Sequence, residues 1–220
     1  MDKKSLLLKA ITDQGMLPLF FHADEQKSIK LAQTVYDAGV RVIEYTNRGK
    51  EALANFRKLK EVALVSMPEL KLGIGTIKTA QEAQDFIDAG ADFIVAPVVS
   101  AAVAKVCADA EMLWVPGCMT PTEISVAQEL GAGLIKIFPA NILGQEFIAS
   151  IKELFRGQLF MPTGGVDLSK ENIAAGKFKV CLEYHLGNCK GPCEGLQSLE
   201  DYQNGIQQMR NILKGNLGSV

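Results

Sequence analysis

Leu134-Ile135-Lys136-Ile137-Phe138-Pro139-Ala140 is the stretch whose reading decides the fold. It follows the turn Gly131-Ala132-Gly133, runs through residues of high β propensity and stops at a proline, as a short buried strand does. Strand residues alternate between faces, so Leu134, Lys136 and Phe138 share one side and Ile135 and Ile137 the other. With both sides covered, the Lys136 ammonium must pair with a carboxylate or give up its proton, because burying it alone is costly. A buried amine in its neutral form is a good nucleophile towards a ketone. On this stretch alone an edge strand with the lysine in solvent is the competing reading.

Working outward, the same unit recurs. "DAGVRVIE" (37–44), "DAGADFIV" (88–95) and "ELGAGLIK" (129–136) each read as a helix end, a glycine suited to a left-handed turn, and a strand. A first helix over 3–14 precedes the repeat. Strands follow at Met16–Phe21, Val40–Tyr45, Leu72–Ile74, Phe93–Ala96, Leu113–Val115, Leu134–Phe138, Leu159–Met161 and Phe178–Leu182. Between them lie helices from Asp24 to Ala38, near Lys50–Leu59, Thr79–Ala89, Ser100–Ala108, Pro121–Leu130, Gln145–Phe155 and Ser169–Ala174, with a last one at Leu199–Leu213. Short apolar strands alternating with helices predict a parallel sheet covered on both faces. Eight such units in 220 residues predict an α/β chain folded as a single (β/α)8 TIM barrel with an extra N-terminal helix, spanning 1–220. An open doubly wound sheet is the runner-up, weakened by the lack of a GxGxxG turn after the first strand.

Composition narrows the function. Hydrophobic residues make up 48% and charged residues 22%, with a formal net charge of -2 from 23 basic and 25 acidic side chains. That balance offers no field for nucleic acid or an anionic membrane, so an anionic ligand must be met by local groups. No run approaches the roughly 20 apolar residues of a membrane span. The start, Met1 to Leu8, is broken by Lys9 and Asp13 and is read as the first helix of a cytoplasmic protein rather than a signal peptide. Five cysteines favour reduced thiols over a disulfide scaffold.

In a barrel, polar residues late in the strands form the active face. Val42 and Glu44 share a face, which puts Glu44 at the mouth. Lys136, late in its own strand, belongs beside it, and two such charges are tolerable together where each alone is expensive. Arg48 suits bidentate recognition of a carboxylate, or serves as a surface arginine. Thr76 is a donor to the same carboxylate or a cap for the helix near Thr79. Phe138 walls the pocket or is simply core. Pro97 and Pro116 follow strands and terminate them, while Pro116-Gly117 fits a tight turn with Thr120 and Glu123 forming a capping box. The stretch Phe160-Met161-Pro162-Thr163-Gly164-Gly165 is the best anion site, since two glycines let amides converge on an oxygen ligand.

Five segments together resemble the family of class I 2-keto-3-deoxy-6-phosphogluconate (KDPG) and 4-hydroxy-2-oxoglutarate (KHG) aldolases. They are Arg41-Val42-Ile43-Glu44-Tyr45-Thr46-Asn47-Arg48, Gly73-Ile74-Gly75-Thr76-Ile77, Val115 to Glu123, Ile135 to Ala140, and Pro162-Thr163-Gly164-Gly165-Val166. The resemblance covers about residues 10–175. It implies Lys136 as the Schiff base lysine and Glu44 as the general acid/base. Arg48 and Thr76 then hold the pyruvyl end, with Pro97, Phe138 and Thr163 also lining the substrate site. Gly164 and Gly165 offer amides to its far end. It further implies a homotrimer, a small-molecule 2-keto acid substrate, and no cofactor or metal.

The sequence departs from that family in three places. Asn47-Arg48-Gly49 stands where Leu-Arg-Thr is common, and Ala96-Pro97-Val98 where Ser-Pro-Gly is common. The last strand reads Cys181-Leu182-Glu183-Tyr184-His185-Leu186-Gly187 where the family has a Gly-Gly-Ser type turn, and an atypical insertion follows near 186–197. Glu183 would repel a phosphate there, so the phosphorylated substrate is less secure than the lyase chemistry. Cys181, His185, Cys189 and Cys193 form a conceivable Cys3His zinc set, or Cys189 and Cys193 a disulfide, although Gly187, Gly191 and Pro192 break the helix such spacing needs. Cys107 reads as helix core, and Cys118 as a turn residue able to touch substrate. Two histidines with no metal-ligand spacing disfavour a metal-dependent aldolase. A Schiff base lyase or decarboxylase acting on another 2-keto acid, and a non-catalytic anion-binding barrel, are the alternatives.

Overall fold

The computed structural model describes residues 2–164, the backbone of Leu182–Leu186, and Asn204 and Gln207. The elements run α1 (Lys3–Gln14), β1 (Met16–Phe20), α2 (Glu25–Asp37), β2 (Val42–Thr46), α3 (Ala52–Ser66), β3 (Lys71–Gly75), α4 (Ala80–Asp88) and β4 (Phe93–Val95). They continue α5 (Ala101–Asp109), β5 (Leu113–Val115), β6 (Gly117–Cys118), α6 (Pro121–Glu129), β7 (Leu134–Ile137), α7 (Ala140–Leu154), β8 (Leu159–Pro162) and β9 (Leu182–Leu186). The glycines of the three repeated phrases, Gly39, Gly90 and Gly131, sit at φ 85°, 87° and 84°, each reversing the chain from a helix into the next strand.

Among the described residues all strand pairs are parallel. One sheet is ordered β5-β4-β3-β2-β1-β9 and the other β6-β7-β8. Pro116 is the joint between them. It separates β5 from β6 and has no N–H to give a ladder, while its carbonyl accepts the Lys136 amide at 2.8 Å. β9 lies against β1 with Leu19 opposite His185, so the last strand returns beside the first. The hydrogen-bonded ladder is not continuous between β8 and β9 among the described residues, although the two strands are neighbours. The arrangement is an α/β fold of the TIM-barrel kind, with α1 as the extra N-terminal helix.

Side chains sort into two layers. Ile43, Tyr45, Ile135, Ile137 and Trp114 pack outward under the helices, while Leu17, Val42, Phe93, Val95, Leu134 and Met161 fill the interior. Met16 and Phe20 belong to the outer layer, so only alternate residues of β1 line the interior. α1 closes the N-terminal end: its Leu7 and Ile11 join the interior cluster. Gln14 fixes it there, donating to the carbonyls of Met16 and Val42 and accepting the amides of Arg41 and Val42.

Several boundaries differ from the sequence reading. α3 runs on to Ser66, because nothing breaks it before Pro68; its exposed Leu64 and Val65 blur the apolar stripe. α7 starts at Ala140 and absorbs Gly144 at φ 74° as a kink, where the sequence suggests a later start. The last described strand is Leu182–Leu186; of the expected Phe178–Leu182 only Leu182 lies among the described residues. The expected helices at Ser169–Ala174 and Leu199–Leu213 fall on residues that are outside the described ones, apart from Asn204 and Gln207.

Gly73 lies on the inner face, where a Cβ would meet the Phe93 ring at 2.2 Å, and Phe93 is fully buried. Gly73→Ala therefore overpacks the interior and should lower unfolding free energy by about 1–3 kcal/mol. Urea denaturation checks this; an unchanged midpoint would show that the ring has room to move.

Candidate active site

Lys136 and Glu44 are held by the alternation of their strands. Leu134 is in the interior cluster, so Lys136 two residues on faces inward, with 8% of its surface exposed. Val42 is interior, so Glu44 faces inward as well, 1% exposed. β2 and β7 lie in different sheets, and their charged side chains reach towards the same interior from different sides. The Lys136 amine lies over the Phe138 ring, 5.2 Å from its centroid, a cation–π distance. Phe138 itself is 39% exposed, so it stands at the rim rather than in the core.

One glycine makes room for the Glu44 carboxylate, and another lets two backbones meet beside Lys136. Gly117 is the register partner of Lys136, and a Cβ there would lie 2.4 Å from the Pro97 carbonyl oxygen. The Pro97 backbone thus passes hard against the β6 turn, beyond simply ending β4. A Cβ on Gly75 would fall 1.6 Å from Glu44 Oε1. Gly73 and Gly75, two apart on the inward face of β3, are the signal in the sequence that one strand was cleared for its neighbour's side chain.

Thr76 follows at φ 65°, a left-handed conformation rare for a β-branched residue. It does not cap α4, because Thr79 does, in a full capping box with Glu82. The Asn47 amide donates to the Gly75 carbonyl at 2.9 Å, which ties the ends of β2 and β3 together. Arg48, just beyond, is exposed at the same end. The replacement of a hydroxyl residue by Gly49 has a local cause: a Cβ there would meet Phe21 Cζ at 2.7 Å. Val98 is 49% exposed.

At the end of β8, Thr163 is buried, its amide donates to Ile137 and its carbonyl accepts the Ala140 amide at 2.7 Å. This locks the Thr163-Gly164 turn onto the start of α7. Gly164 has φ 96°, a conformation open to glycine. Gly165 lies outside the described residues, as do the side chains of Glu183 and His185 and all of Cys181, Cys189 and Cys193. Among the described residues no three His, Cys, Asp or Glu side chains gather as metal ligands. No described helix is long and apolar enough to cross a membrane.

Two other expectations resolve. Thr120 and Glu123 form the capping box foreseen for α6. Cys118, expected near substrate, instead shares the face of Ile137 and is buried in the outer layer. His22 plays a structural part: its Nδ1 accepts the Asp24 amide, and its carbonyl accepts Tyr45 Oη–H at 3.0 Å.

The family model described as KDPG and KHG aldolase matches residues 8–190. The 2-dehydro-3-deoxy-phosphogluconate aldolase of Treponema pallidum is 28% identical over 181 residues, covering 80% of this chain and 83% of that protein. A shorter likeness is to UvrABC system protein C of Cytophaga hutchinsonii, 61% identical over 71 residues, which is 32% of this chain; the match spans only 12% of that protein's length. In three dimensions the chain is similar to the 2-keto-3-deoxy-6-phosphogluconate aldolase of Zymomonas mobilis ZM4, solved with 3-phosphoglycerate. The TM-score is 0.82 at 22% identity, over 95% of this chain and 97% of that one. It is also similar to the KDPG aldolase of Legionella pneumophila, solved with pyruvate captured as a covalent carbinolamine, at TM-score 0.75 and 19% identity over 96% of each chain. At those identities the structures speak for the fold.

Burial pushes the thiols of Cys107 and Cys118 up to about 12. Thiolate is the reactive form, so neither should be alkylated by iodoacetamide between pH 7 and 9 while the chain is folded. Mass mapping before and after denaturation checks this; fast labelling of Cys118 in the native protein would place it in the site after all.

Proposed function

We propose, from the premise that this chain belongs to the KDPG and KHG aldolase family, that it cleaves a 4-hydroxy-2-keto acid through a Schiff base on Lys136. Membership makes it an aldolase, a carbon–carbon lyase. The observation that supports the finer reading is a lysine 8% exposed and a glutamate 1% exposed on the inner faces of two strands of one barrel. Burying such charges without use is expensive.

The chemistry follows from those groups. The Lys136 amine adds to C2 of the keto acid, giving a carbinolamine that loses water to an iminium. The cationic nitrogen draws the C3–C4 bonding electrons towards itself as the C4 hydroxyl gives up its proton. The bond breaks, an aldehyde leaves, and an enamine remains on the lysine. Protonation at C3 and hydrolysis return pyruvate and the free amine. Glu44 carries protons in the addition, dehydration and cleavage steps. The Phe138 face steadies the positive nitrogen. Arg48 and Thr76 take the C1 carboxylate, and the left-handed backbone of Thr76 presents its hydroxyl at the strand end. Pro97 shapes the wall beside Lys136. Thr163, Gly164 and Gly165 serve the aldehyde half.

The substrate is 2-dehydro-3-deoxy-6-phosphogluconate, 4-hydroxy-2-oxoglutarate or both, with no cofactor and no metal. The glutamate of the last strand argues for testing the phosphate directly. A cytoplasmic homotrimer of single-barrel subunits completes the reading. We assign the 71-residue likeness to UvrABC system protein C to the C-terminal part of the chain, because the aldolase motifs occupy 41–166 and the longest departure begins at Cys181. Aligned separately, residues 150–220 should keep that identity and residues 1–149 lose it.

Borohydride reduction in the presence of saturating pyruvate should add one pyruvyl adduct on Lys136 by peptide mass mapping, and Lys136→Ala should lose both adduct and turnover. Absence of the adduct in the wild-type chain would favour an anion-binding barrel. Arg48→Ala should raise KM for the keto acid about tenfold or more, as loss of a charge-assisted contact does. Comparing kcat/KM for phosphorylated and non-phosphorylated sugar acids and for 4-hydroxy-2-oxoglutarate identifies the aldehyde half; equal values for the first two would mean that no phosphate cradle operates.

A further inference from the structure

We infer that Gly75 is the positioning residue for Glu44: the side chain it lacks is the volume that the catalytic carboxylate occupies. This rests on the reading of Glu44 as the proton carrier. In register, Glu44 lies opposite Gly73 and Thr46 opposite Gly75, so the carboxylate reaches along β3 from its own position to the next inward one. A Cβ built on Gly75 falls 1.6 Å from Glu44 Oε1, 2.5 Å from Cδ and 3.1 Å from Cγ. No L-residue at 75 coexists with this placement.

The neighbours of Gly75 make the seat firm. Its carbonyl accepts the Asn47 amide at 2.9 Å, so β3 cannot draw back from β2 there. Gly73, one inward position below, is closed by the Phe93 ring at 2.2 Å from a built Cβ. The carboxylate is therefore held towards the C-terminal end of the strands, where the Lys136 amine and the Phe138 rim also lie. The obstructed atoms are the far end of a flexible side chain, so an alanine at 75 displaces the carboxylate rather than the strand.

The consequence differs from a general packing defect. With the carboxylate swung away, the amine on β7 is untouched and still adds to pyruvate, but proton delivery at the reacting atoms is lost. General acid–base catalysis is worth about 10²–10⁴-fold, and loss on that scale is the size of effect expected in kcat.

The test is a cycle of four chains: wild type, Gly75→Ala, Glu44→Asp and the double variant, with Glu44→Gln alongside. Gly75→Ala should keep its melting temperature near wild type and its borohydride-trapped pyruvyl adduct, while kcat falls at least a hundredfold and the pH–rate profile changes shape. Aspartate is one methylene shorter and withdraws from the Gly75 notch, so adding Gly75→Ala to Glu44→Asp should cost less than a fifth of what it costs beside glutamate. If Gly75→Ala is poorly folded, the comparison of Glu44→Asp with the double variant alone decides. Full activity in Gly75→Ala, or an equal cost of the alanine beside aspartate and beside glutamate, overturns the inference while leaving the Schiff base reading intact. Wild-type turnover in Glu44→Gln would remove the proton carrier itself, and the role of Gly75 with it.

Discussion

A lysine and a glutamate on the inner face of apolar parallel strands are the constraint on which the rest depends. Neither Lys136 nor Glu44 is tolerable alone at its depth, since each would face the cost of leaving water. Their strands therefore have to present them inward from different sides of one interior. The βα repeat does this by parity alone, because Leu134 and Val42, two residues earlier, are already committed to the interior layer. Slip either strand by one residue and the charge would be driven under the helices among Ile135, Ile137 and Tyr45.

The surrounding features serve the same requirement. Gly75 leaves out the side chain that would collide with the Glu44 carboxylate, Gly73 the one that would collide with the Phe93 ring, and Gly117 the one that would collide with the Pro97 backbone. The buried polar residues of the outer layer act at a distance. Tyr45 and Asn55 bond the carbonyl of His22, and Asn55 also bonds that of Ala23, which pins the loop after β1 and with it the strand beside Glu44. Asp92 plays a similar part lower down, accepting Lys60 and the Leu72 amide at the start of β3.

Much of this was legible in the chain. Periodicity, the three helix-glycine-strand phrases and the inward parity of Glu44 and Lys136 required nothing beyond local rules, and the capping box at Thr120 is written in four letters. What was not legible depends on neighbours distant in sequence. Cys118 was drawn towards the site by its Pro-Gly turn, but the register of β6 on β7 turns it outward beside Ile137. Gly49 reads in the sequence as the loss of a hydroxyl, and the Phe21 ring packed against it leaves no room for a side chain there. Thr76 could be a cap or a ligand from sequence; the presence of Thr79 at the N-cap removes the first reading. The 71-residue likeness to UvrABC system protein C is likewise invisible to periodicity, because it concerns ancestry rather than packing.

The stopper formed by α1 has a bearing on traffic. With Leu7 and Ile11 seated in the interior and Gln14 stitched to both β1 and β2, the N-terminal end of the strands is covered among the described residues, which leaves the end that carries Lys136 as the one facing a small molecule. Access from that end would impose a sequence on departures. On the chemistry proposed above, with pyruvate tethered to the lysine, the aldehyde fragment is the one free to leave, on the side where Phe138 stands exposed.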